Sequence, residues 1–302
     1  MQRVVVLRAL GLGDLLTAVP ALRGVRRAFP GAHVALAAPA GLRPLALLTG
    51  SVDDVVGTAP LAPLPPELHG ADVAVNLHGR GPQSTALLQA SAPGRLVAYG
   101  LPGGPRWDGD EHEVARWCRL LVESGIAADP RDLLLEPPAT EPPVRGAVVV
   151  HPGAAQESRR WPVERWAVVA RELAGAGHDV RLTGGPDEVE RAHAVAAAAG
   201  LPAAAVLAGR TDLLGLCALV AAARLVVSVD TGVAHVATAF GTPSVVLFGP
   251  TSPALWGPPP DRPQHRVLWA GRTGDNFAPA VDPGLLELTA DDVVAAALEQ
   301  LG

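Results

Sequence analysis

The chain contains no lysine, because all 24 of its basic residues are arginines. Every mechanism that depends on a lysine amine, such as Schiff-base formation, is therefore excluded. Cysteine is almost as scarce, since the 302 residues include only Cys118 and Cys217. Two cysteines so far apart, each within a predicted helix, support neither a disulfide framework nor a thiolate metal site. This usage is typical of a reducing compartment, and we expect a cytoplasmic protein.

Aromatic residues make up 4% of the chain and hydrophobic residues 49%, so the cores are expected to consist of Ala, Val and Leu. The net charge of -6 offers no basic face for nucleic-acid phosphates, and we expect no nucleic-acid partner. No signal segment opens the chain, and no stretch reaches the roughly 20 apolar residues of a membrane span. We therefore expect no transmembrane segment, which leaves only peripheral membrane contact open.

The most informative stretch is LVVSVDTGVAHVATAFGTPSVVLFGPT, at 225–251. It begins with a β-branched, apolar run of the kind found in parallel strands that are buried on both faces. Asp230, Thr231 and Gly232 then predict a tight turn at the start of a helix of small residues. Such a turn binds anions, above all phosphate, because unpaired N–H groups and the helix dipole act together. His235 can point at the same place; the alternative is that Asp230 or Thr231 merely caps the helix.

A second strand, glycine turn and helix open the chain. Residues 3–7 predict a buried strand, Gly11 to Gly13 a glycine loop, and Asp14 to Phe29 a helix that leads to another strand at 33–37. This order invites a dinucleotide-binding interpretation. However, Leu16 stands where the fingerprint requires its third glycine, and no acidic residue closes the second strand. We therefore expect neither a nicotinamide nor a flavin cofactor.

A proline-rich segment, EPPATEPPVRG at 136–146, is the clearest boundary in the chain. Its four prolines cannot continue a helix or a central strand, and such a composition makes a semi-rigid linker. We predict two α/β domains, at 1–143 and 144–302. The second ends in a helix that Thr289 caps, with Asp292 three residues further on.

Three further stretches carry polar residues near predicted strand ends. The stretch at 71–79 predicts a strand that leads into a loop, Asn76 to Ser84, and ligands bind at such loops in α/β sheets. In the motif GGPDE, Glu188 either holds a ribose through its hydroxyls or is only a helix-start acid. The acidic stretch at 107–118 predicts the first turn of a helix, with His112 exposed and no metal bound. The candidates for acceptor binding in the first loop are His78, Arg80 and Gln83, although a lone surface arginine is more often only solvated.

Four motifs, in order, carry a resemblance to a known family: GLGD, the Gly153 loop with RRWP, GGPDE, and DTGVAH through FGPT. Together they resemble the heptosyltransferases, glycosyltransferase family 9, which transfer a heptose from an ADP-sugar. The resemblance spans most of the chain. It implies the α/β GT-B fold, in which two Rossmann-like domains face each other across a cleft. The first domain would bind mainly the acceptor and the second the nucleotide-sugar.

The resemblance also implies roles for individual residues. Asp14 matches the general base of the family, although an acid at a helix start can also simply complement the helix dipole. Arg159 matches a basic residue, often lysine, that meets the donor phosphates, with Arg160 as the alternative, and Thr211 matches a turn that lies against the adenine. Trp161 is expected to be a packing residue. The implied donor-binding set is Gly13, Gly153, Arg159, Arg160, Glu188, Thr211, Asp230, Thr231, Gly232 and His235.

The function implied is an inverting, metal-independent glycosyltransferase without a cofactor. It would move a heptose or a related sugar from an ADP-sugar to a hydroxyl of a glycan or a natural product. Asp14 would take the hydroxyl proton while Arg159 and the helix start stabilise the departing ADP. Because fold does not fix function, two alternatives stay open: a sugar-nucleotide epimerase or hydrolase of the same architecture, and a non-catalytic module that binds a nucleotide-sugar.

Overall fold

The structure, a computed structural model, describes residues 1–302. The chain divides into two compact units, Met1–Leu135 and Glu136–Gly302. The division falls at the start of the proline-rich segment 136–146, which forms neither helix nor strand. The boundary predicted from the sequence, at 143, lies within the same segment.

The first unit is a five-stranded parallel sheet with the strand order β3-β2-β1-β4-β5. Its strands are β1 (Arg3–Leu7), β2 (His33–Ala38), β3 (Asp54–Gly57), β4 (Val73–Asn76) and β5 (Arg95–Val97). Its helices are α1 (Leu12–Thr17), α2 (Val19–Ala28), α3 (Arg43–Leu48), α4 (Gln83–Ala90) and α5 (Glu113–Glu123). The predicted strand at residues 3–7 is confirmed.

The second unit is also a five-stranded parallel sheet, with the order β10-β9-β8-β6-β7. Its strands are β6 (Val148–His151), β7 (Val180–Leu182), β8 (Leu225–Val229), β9 (Ser244–Phe248) and β10 (His265–Trp269). Its helices are α6 (Val163–Gly175), α7 (Val189–Ala199), α8 (Leu213–Ala221), α9 (Gly232–Phe240), α10 (Pro253–Trp256), α11 (Pro283–Glu287) and α12 (Ala290–Leu301).

The cores follow the composition. β1, β8 and β9 are almost completely buried, as runs of Val and Leu with helices on both faces require. Three of the six tryptophans, Trp117, Trp161 and Trp166, are buried, and the rings of Trp161 and Trp166 meet edge to face with 4.9 Å between centroids. The prediction that Trp161 is a packing residue is confirmed. No helix is both long and apolar enough to serve as a membrane span.

The predicted single helix from Asp14 to Phe29 is wrong, because two helices, α1 and α2, replace it. Pro20 causes the break. It has no N–H to donate to the preceding turn and occupies the first turn of α2, where that loss costs little. The N–H of Ala18 bonds back to Leu15 at 3.1 Å and closes α1.

The strand orders decide where loops come together. In the first unit the chain builds β2 and β3 on one side of β1 and then returns to place β4 on the other side. In the second unit the same reversal occurs between β6 and β8. Open α/β sheets bind ligands at such reversals, beyond the carboxyl ends of the strands. The loops that follow β1, β4, β6 and β8 are therefore the natural places for a site in each unit.

Candidate functional site

Asp14 lies in the first turn of α1, directly after the turn that follows β1. Its Oδ2 accepts a hydrogen bond from the N–H of Gly11 at 3.1 Å, and its Oδ1 lies 3.3 Å from the Arg8 guanidinium. The side chain is nevertheless 28% exposed. A carboxylate offers about four lone-pair positions, so Asp14 can hold these contacts and still accept a proton. Both roles considered for Asp14 from the sequence fit this geometry.

Gly13 is not in a loop, and this part of the prediction is wrong. Helix α1 begins at Leu12, so Gly13 lies in its first turn and Gly11 alone takes the extended N-cap conformation. The helix begins early because the Asp14 carboxylate, three residues after Gly11, accepts the N–H of Gly11.

Arg8 is buried at the carboxyl end of β1, with 1% of its side chain exposed. Its Nε donates to the backbone oxygen of Asp14 at 2.9 Å, and its Nη1 donates to the backbone oxygen of Leu77. Its Nη2 lies 3.2 Å from Thr17 Oγ1 and donates to Glu113 Oε1 at 2.9 Å. One guanidinium thus joins the turn after β1, the turn after β4 and helix α5.

Glu113 completes this buried group. Its Oε1 also accepts from Trp117 Nε1 at 2.8 Å, and its other oxygen pairs with Arg116. The Arg8 guanidinium carbon stands 4.9 Å from the centroid of the Trp117 ring, within cation–π range. We call Arg8, Asp14, Thr17, Glu113 and Arg116 the Arg8 cluster; its two cations balance its two anions.

The prediction that His112 is exposed is wrong. Glu113 is buried, and His112 is partly buried as the N-cap of α5, where its Nδ1 accepts the N–H of Val114 at 3.2 Å. Burial here requires partners for each charge, and Arg8 and Arg116 supply them.

The three candidates for acceptor binding lie in different settings. His78 is partly buried next to the Arg8 cluster, and its Nδ1 accepts the N–H of Ala9 at 3.2 Å. Burial lowers the pKa of His78, the Arg8 charge lowers it further, and Asp14 partly offsets both. The ring is therefore neutral at pH 7, with its proton on Nε2. Arg80 is exposed in the following turn.

The predicted loop from Asn76 to Ser84 is too long. Helix α4 already begins at Gln83, so Gln83 and Ser84 are helical, with Gln83 exposed and Ser84 buried. Asn76 holds the shorter loop by donating to Ser84 Oγ at 2.9 Å and by accepting the N–H of His78 at 3.0 Å.

In the second unit, Asp230, Thr231 and Gly232 form the turn predicted between β8 and α9; we call these residues the Asp230 turn. Thr231 is the N-cap, and its Oγ1 accepts the N–H of Val233 at 3.3 Å. The N–H of Gly232 has no carbonyl partner within the helix, as at every helix start. The cap role is thus real, and it leaves an N–H group of the turn for an anion.

Arg159 reaches the Asp230 turn from the loop after β6. Its Nη1 donates to the backbone oxygen of Asp230 at 2.9 Å and lies 3.6 Å from Asp230 Oδ2. Burial raises the pKa of Asp230 to about 6, an effect that Arg159 partly offsets. The Arg159 side chain is 20% exposed, whereas that of Asp230 is 6% exposed. The guanidinium, not the carboxylate, is therefore the accessible charge.

Arg160, the alternative to Arg159, points elsewhere. Its Nε donates to the backbone oxygen of Ala154 at 2.9 Å, and its Nη1 pairs with Glu157 at 2.9 Å. These contacts stay within its own loop.

Glu188 and Gly153 are joined by a close approach. Glu188 Oε2 accepts the N–H of Gly185 at 2.8 Å. A Cβ added at Gly153 would stand 2.6 Å from Glu188 Oε2 and closer still to Oε1. Gly153 therefore makes room for the carboxylate. His151, at the end of β6, stands 3.8 Å from the same carboxylate, and burial lowers its pKa.

Two more members of the predicted donor set lie nearby in the second unit. The turn that contains Thr211 is tied to the Glu188 loop, because the N–H of Gly209 donates to the oxygen of Gly184 at 2.9 Å. His235, in the first turns of α9, is partly buried, and its ring centroid lies 6.1 Å from that of Trp256.

Sequence reasoning missed Arg8, Glu113, His151 and Arg191. Arg191 ties the Gly153 loop to α7 by donating to the oxygen of Pro152 at 2.8 Å. A charged or imidazole side chain at the end of an apolar strand is a signal that could have identified Arg8 and His151. Nothing local marks Glu113 or Arg191, because Glu113 meets Arg8, and Arg191 meets Pro152, from distant parts of the sequence.

Comparison with known proteins agrees with this architecture. A model of glycosyltransferase family 9 (heptosyltransferase) matches residues 106–275, more than half of the chain. Lipopolysaccharide heptosyltransferase 1 of Escherichia coli (strain K12) is 25% identical over 292 residues, which cover 85% of this chain and 90% of that protein.

Two solved structures are similar over the whole chain. One is E. coli ADP-heptose lps heptosyltransferase II, with a TM-score of 0.77, 24% identity, and coverage of 100% of this chain and 98% of that one. The other is E. coli heptosyltransferase WaaC with ADP-2-deoxy-2-fluoro heptose, with a TM-score of 0.73, 24% identity, and coverage of 99% of both chains.

The two parallel sheets and this likeness define an α/β protein of the GT-B class, which confirms the predicted fold. The chain belongs to glycosyltransferase family 9, the heptosyltransferases. The prediction that it is a glycosyltransferase is thereby confirmed.

Proposed function

We propose that this protein transfers heptose from ADP-heptose to a hydroxyl of a glycan acceptor, with inversion at the anomeric carbon and without a metal ion. In this proposal the second unit binds the donor and Asp14 of the first unit is the general base. The heptosyltransferase II structure, named for ADP-heptose, and the WaaC structure with ADP-2-deoxy-2-fluoro heptose support the choice of donor.

The proposal rests mainly on the contact between Arg159 and the Asp230 turn. A partly exposed guanidinium stands at the start of a nine-residue helix that follows a buried strand. Arginine forms charge-assisted, bidentate hydrogen bonds to phosphate oxygens, and helix N–H groups add further donors. This combination suits a diphosphate. We assign the contact to Arg159 rather than Arg160, because Arg159 contacts the Asp230 turn whereas the recorded contacts of Arg160 lie within its own loop.

The remaining donor contacts follow from the same unit. Glu188 accepts hydrogen bonds from the ribose hydroxyls, and Gly153 leaves room for its carboxylate. The turn at Thr211 lies beside the Glu188 loop and is suited to the adenine, and His235 contributes from the first turns of α9.

The chemical step uses Asp14. The acceptor oxygen attacks the anomeric carbon as its proton passes to the Asp14 carboxylate, and the bond from that carbon to the phosphate oxygen breaks, releasing ADP. A positioned base of this kind contributes roughly 10²- to 10⁴-fold. Direct attack with one carboxylate inverts the anomeric carbon. Glu113, the other carboxylate of the Arg8 cluster, is buried and fully paired, so it is not available as a nucleophile.

Positive charge from the protein can stabilise the departing diphosphate. Arg159 and the helix start at Gly232 stabilise the charge that develops on the diphosphate. We therefore propose turnover without a divalent cation. On the acceptor side, the neutral His78 presents an Nε2–H donor beside Asp14, and we propose that it, with Arg80 and Gln83, contacts the acceptor sugar.

The test is a transfer assay in EDTA. ADP-heptose is supplied with lipopolysaccharide from a strain that makes no heptose, and ADP release is followed with and without that acceptor. We expect acceptor-dependent ADP release and an inverted anomeric configuration in the product by NMR. Release that ignores the acceptor would indicate a hydrolase, and calorimetric preference for UDP or GDP over ADP would contradict the donor.

A further inference from the structure

We infer that Arg8 is a positioning residue for Asp14: the buried guanidinium fixes both the backbone and the carboxylate of the proposed base. This inference rests on the proposed function, because it matters for catalysis only if Asp14 takes the acceptor proton.

The geometry of the guanidinium supports this role. Arg8 donates from Nε to the Asp14 backbone oxygen at 2.9 Å and from Nη2 towards Asp14 Oδ1 at 3.3 Å. It therefore contacts the main chain and the side chain of the same residue. The Thr17 hydroxyl lies 3.2 Å from Nη2 and donates to the Asp14 backbone oxygen at 3.0 Å, so it contacts both residues of the pair.

The other contacts of Arg8 keep it from moving. The backbone oxygen of Leu77 accepts from its Nη1, Glu113 Oε1 accepts from its Nη2, and the Trp117 ring faces it. Glu113 is in turn held by Trp117 and Arg116. The Arg8 guanidinium is thus held by the turn after β4 and by α5, while its Nε and Nη2 contact Asp14.

The burial pattern indicates what this arrangement does. Burying two ion pairs costs desolvation free energy that can exceed their Coulomb attraction unless their hydrogen-bond geometry is favourable. A cluster of this kind therefore contributes little net stability to a fold. Asp14 is its one partly exposed member, at 28%, against 1% for Arg8 and 6% for Glu113. The cluster therefore presents one carboxylate in a fixed orientation. Misplacement of a reacting group by about 1 Å can cost 10²-fold in rate.

The test compares Arg8→Lys and Arg8→Gln with wild type, each in the presence and absence of Asp14→Asn. Lysine keeps the charge that balances Glu113 but cannot reach the carboxylate and the backbone oxygen together. We expect kcat to fall about tenfold for Arg8→Lys and up to about 100-fold for Arg8→Gln, with the Kd for ADP unchanged. In the Asp14→Asn background neither change lowers kcat further, since there is no base left to position.

Two results would overturn the inference while leaving the proposed function intact: full kcat in both Arg8 variants, or an equal loss with and without Asp14, which is what a merely structural role gives. If Asp14→Asn itself keeps its activity, the assignment of the base fails instead. A crystal structure of Arg8→Lys provides a readout independent of activity. We expect the Asp14 carboxylate to leave the N–H of Gly11, and an unmoved carboxylate would contradict the inference.

Discussion

The two units each contain an arginine–aspartate pair beside a helix start, but the burial of the partners is reversed. In the first unit Arg8 is 1% exposed and Asp14 is 28% exposed. In the second unit Asp230 is 6% exposed and Arg159 is 20% exposed. The same ion pair thus presents a carboxylate in one unit and a guanidinium in the other.

This difference suits the two tasks that we propose for the two units. A proton acceptor must be an accessible carboxylate, and a diphosphate requires accessible positive charge. In each pair the buried member orients the exposed one. The supports differ as well, because Arg8 has Glu113 and the Leu77 backbone behind it, whereas Asp230 is ordered mainly by the main chain, its N–H donating to Leu247 at 2.9 Å.

The largest stability effect expected concerns the buried carboxylate of the second pair. Burial raises the pKa of Asp230 to about 6 from 3.8. Because the pKa of Asp230 is higher in the folded state, Asp230 contributes stability at pH values below its unfolded pKa of 3.8. This contribution is lost as the pH rises through the folded pKa of about 6. Relative to wild type, Asp230→Asn should therefore gain roughly 3 kcal/mol in free energy of unfolding as the pH rises from about 4 to 7.

Denaturant unfolding of both proteins at several pH values measures this gain directly. Other titrating groups, including His151, are shared by the two proteins and cancel in the difference. If the difference in free energy of unfolding between the two proteins stays constant across the pH range, burial of the Asp230 carboxylate does not destabilise the fold.

The next effect concerns the exposed member of the same pair. Arg159→Gln should weaken ADP binding about 10- to 100-fold, because a charge-assisted hydrogen bond contributes roughly 1.5–3 kcal/mol. Arg160→Gln is the matched control. Its guanidinium contacts Ala154 and Glu157, so ADP affinity should change less than about twofold. Calorimetric titration decides between them, and a larger loss in Arg160→Gln would transfer the phosphate contact to that residue.

A smaller effect is expected at Gly153, where the second unit needs space rather than charge. A methyl group there would displace the Glu188 carboxylate, so Gly153→Ala should weaken ADP binding by several fold. Gly175→Ala is the control, because no atom lies within 4 Å of a Cβ at that position. In a Glu188→Ala background the Gly153 substitution should have no further effect. Equal losses in both backgrounds would contradict the coupling.

The comparison also shows what the sequence could predict. The Asp230 turn was predictable, because a β-branched run, a short polar turn and a helix of small residues are contiguous and each has a local cause. The GLGD turn was only partly predictable. The break between α1 and α2 could have been predicted from Pro20, which lacks an N–H. The start of α1 at Leu12 could not, because it depends on the Asp14 side chain.

The Arg8 cluster could not be predicted, since the contact that joins its two halves, from Arg8 to Glu113, spans 105 residues of the chain. The acidic residues at 110–113 predicted only the first turn of a helix. The burial of Glu113 follows from α5 packing on α2, which brings this residue beneath the turn after β1. Local patterns identify a helix start, but only the packed structure shows which charge of a pair remains accessible.

The central claim, that the exposed carboxylate of the first pair acts in the chemistry, is tested most directly with Asp14→Asn. The measurement is kcat for heptose transfer together with the Kd for ADP on the same preparation. We predict a loss of roughly 10²- to 10⁴-fold in kcat with the ADP Kd unchanged. Turnover within about threefold of wild type, or a loss of ADP binding equal to that of Arg159→Gln, would contradict the claim.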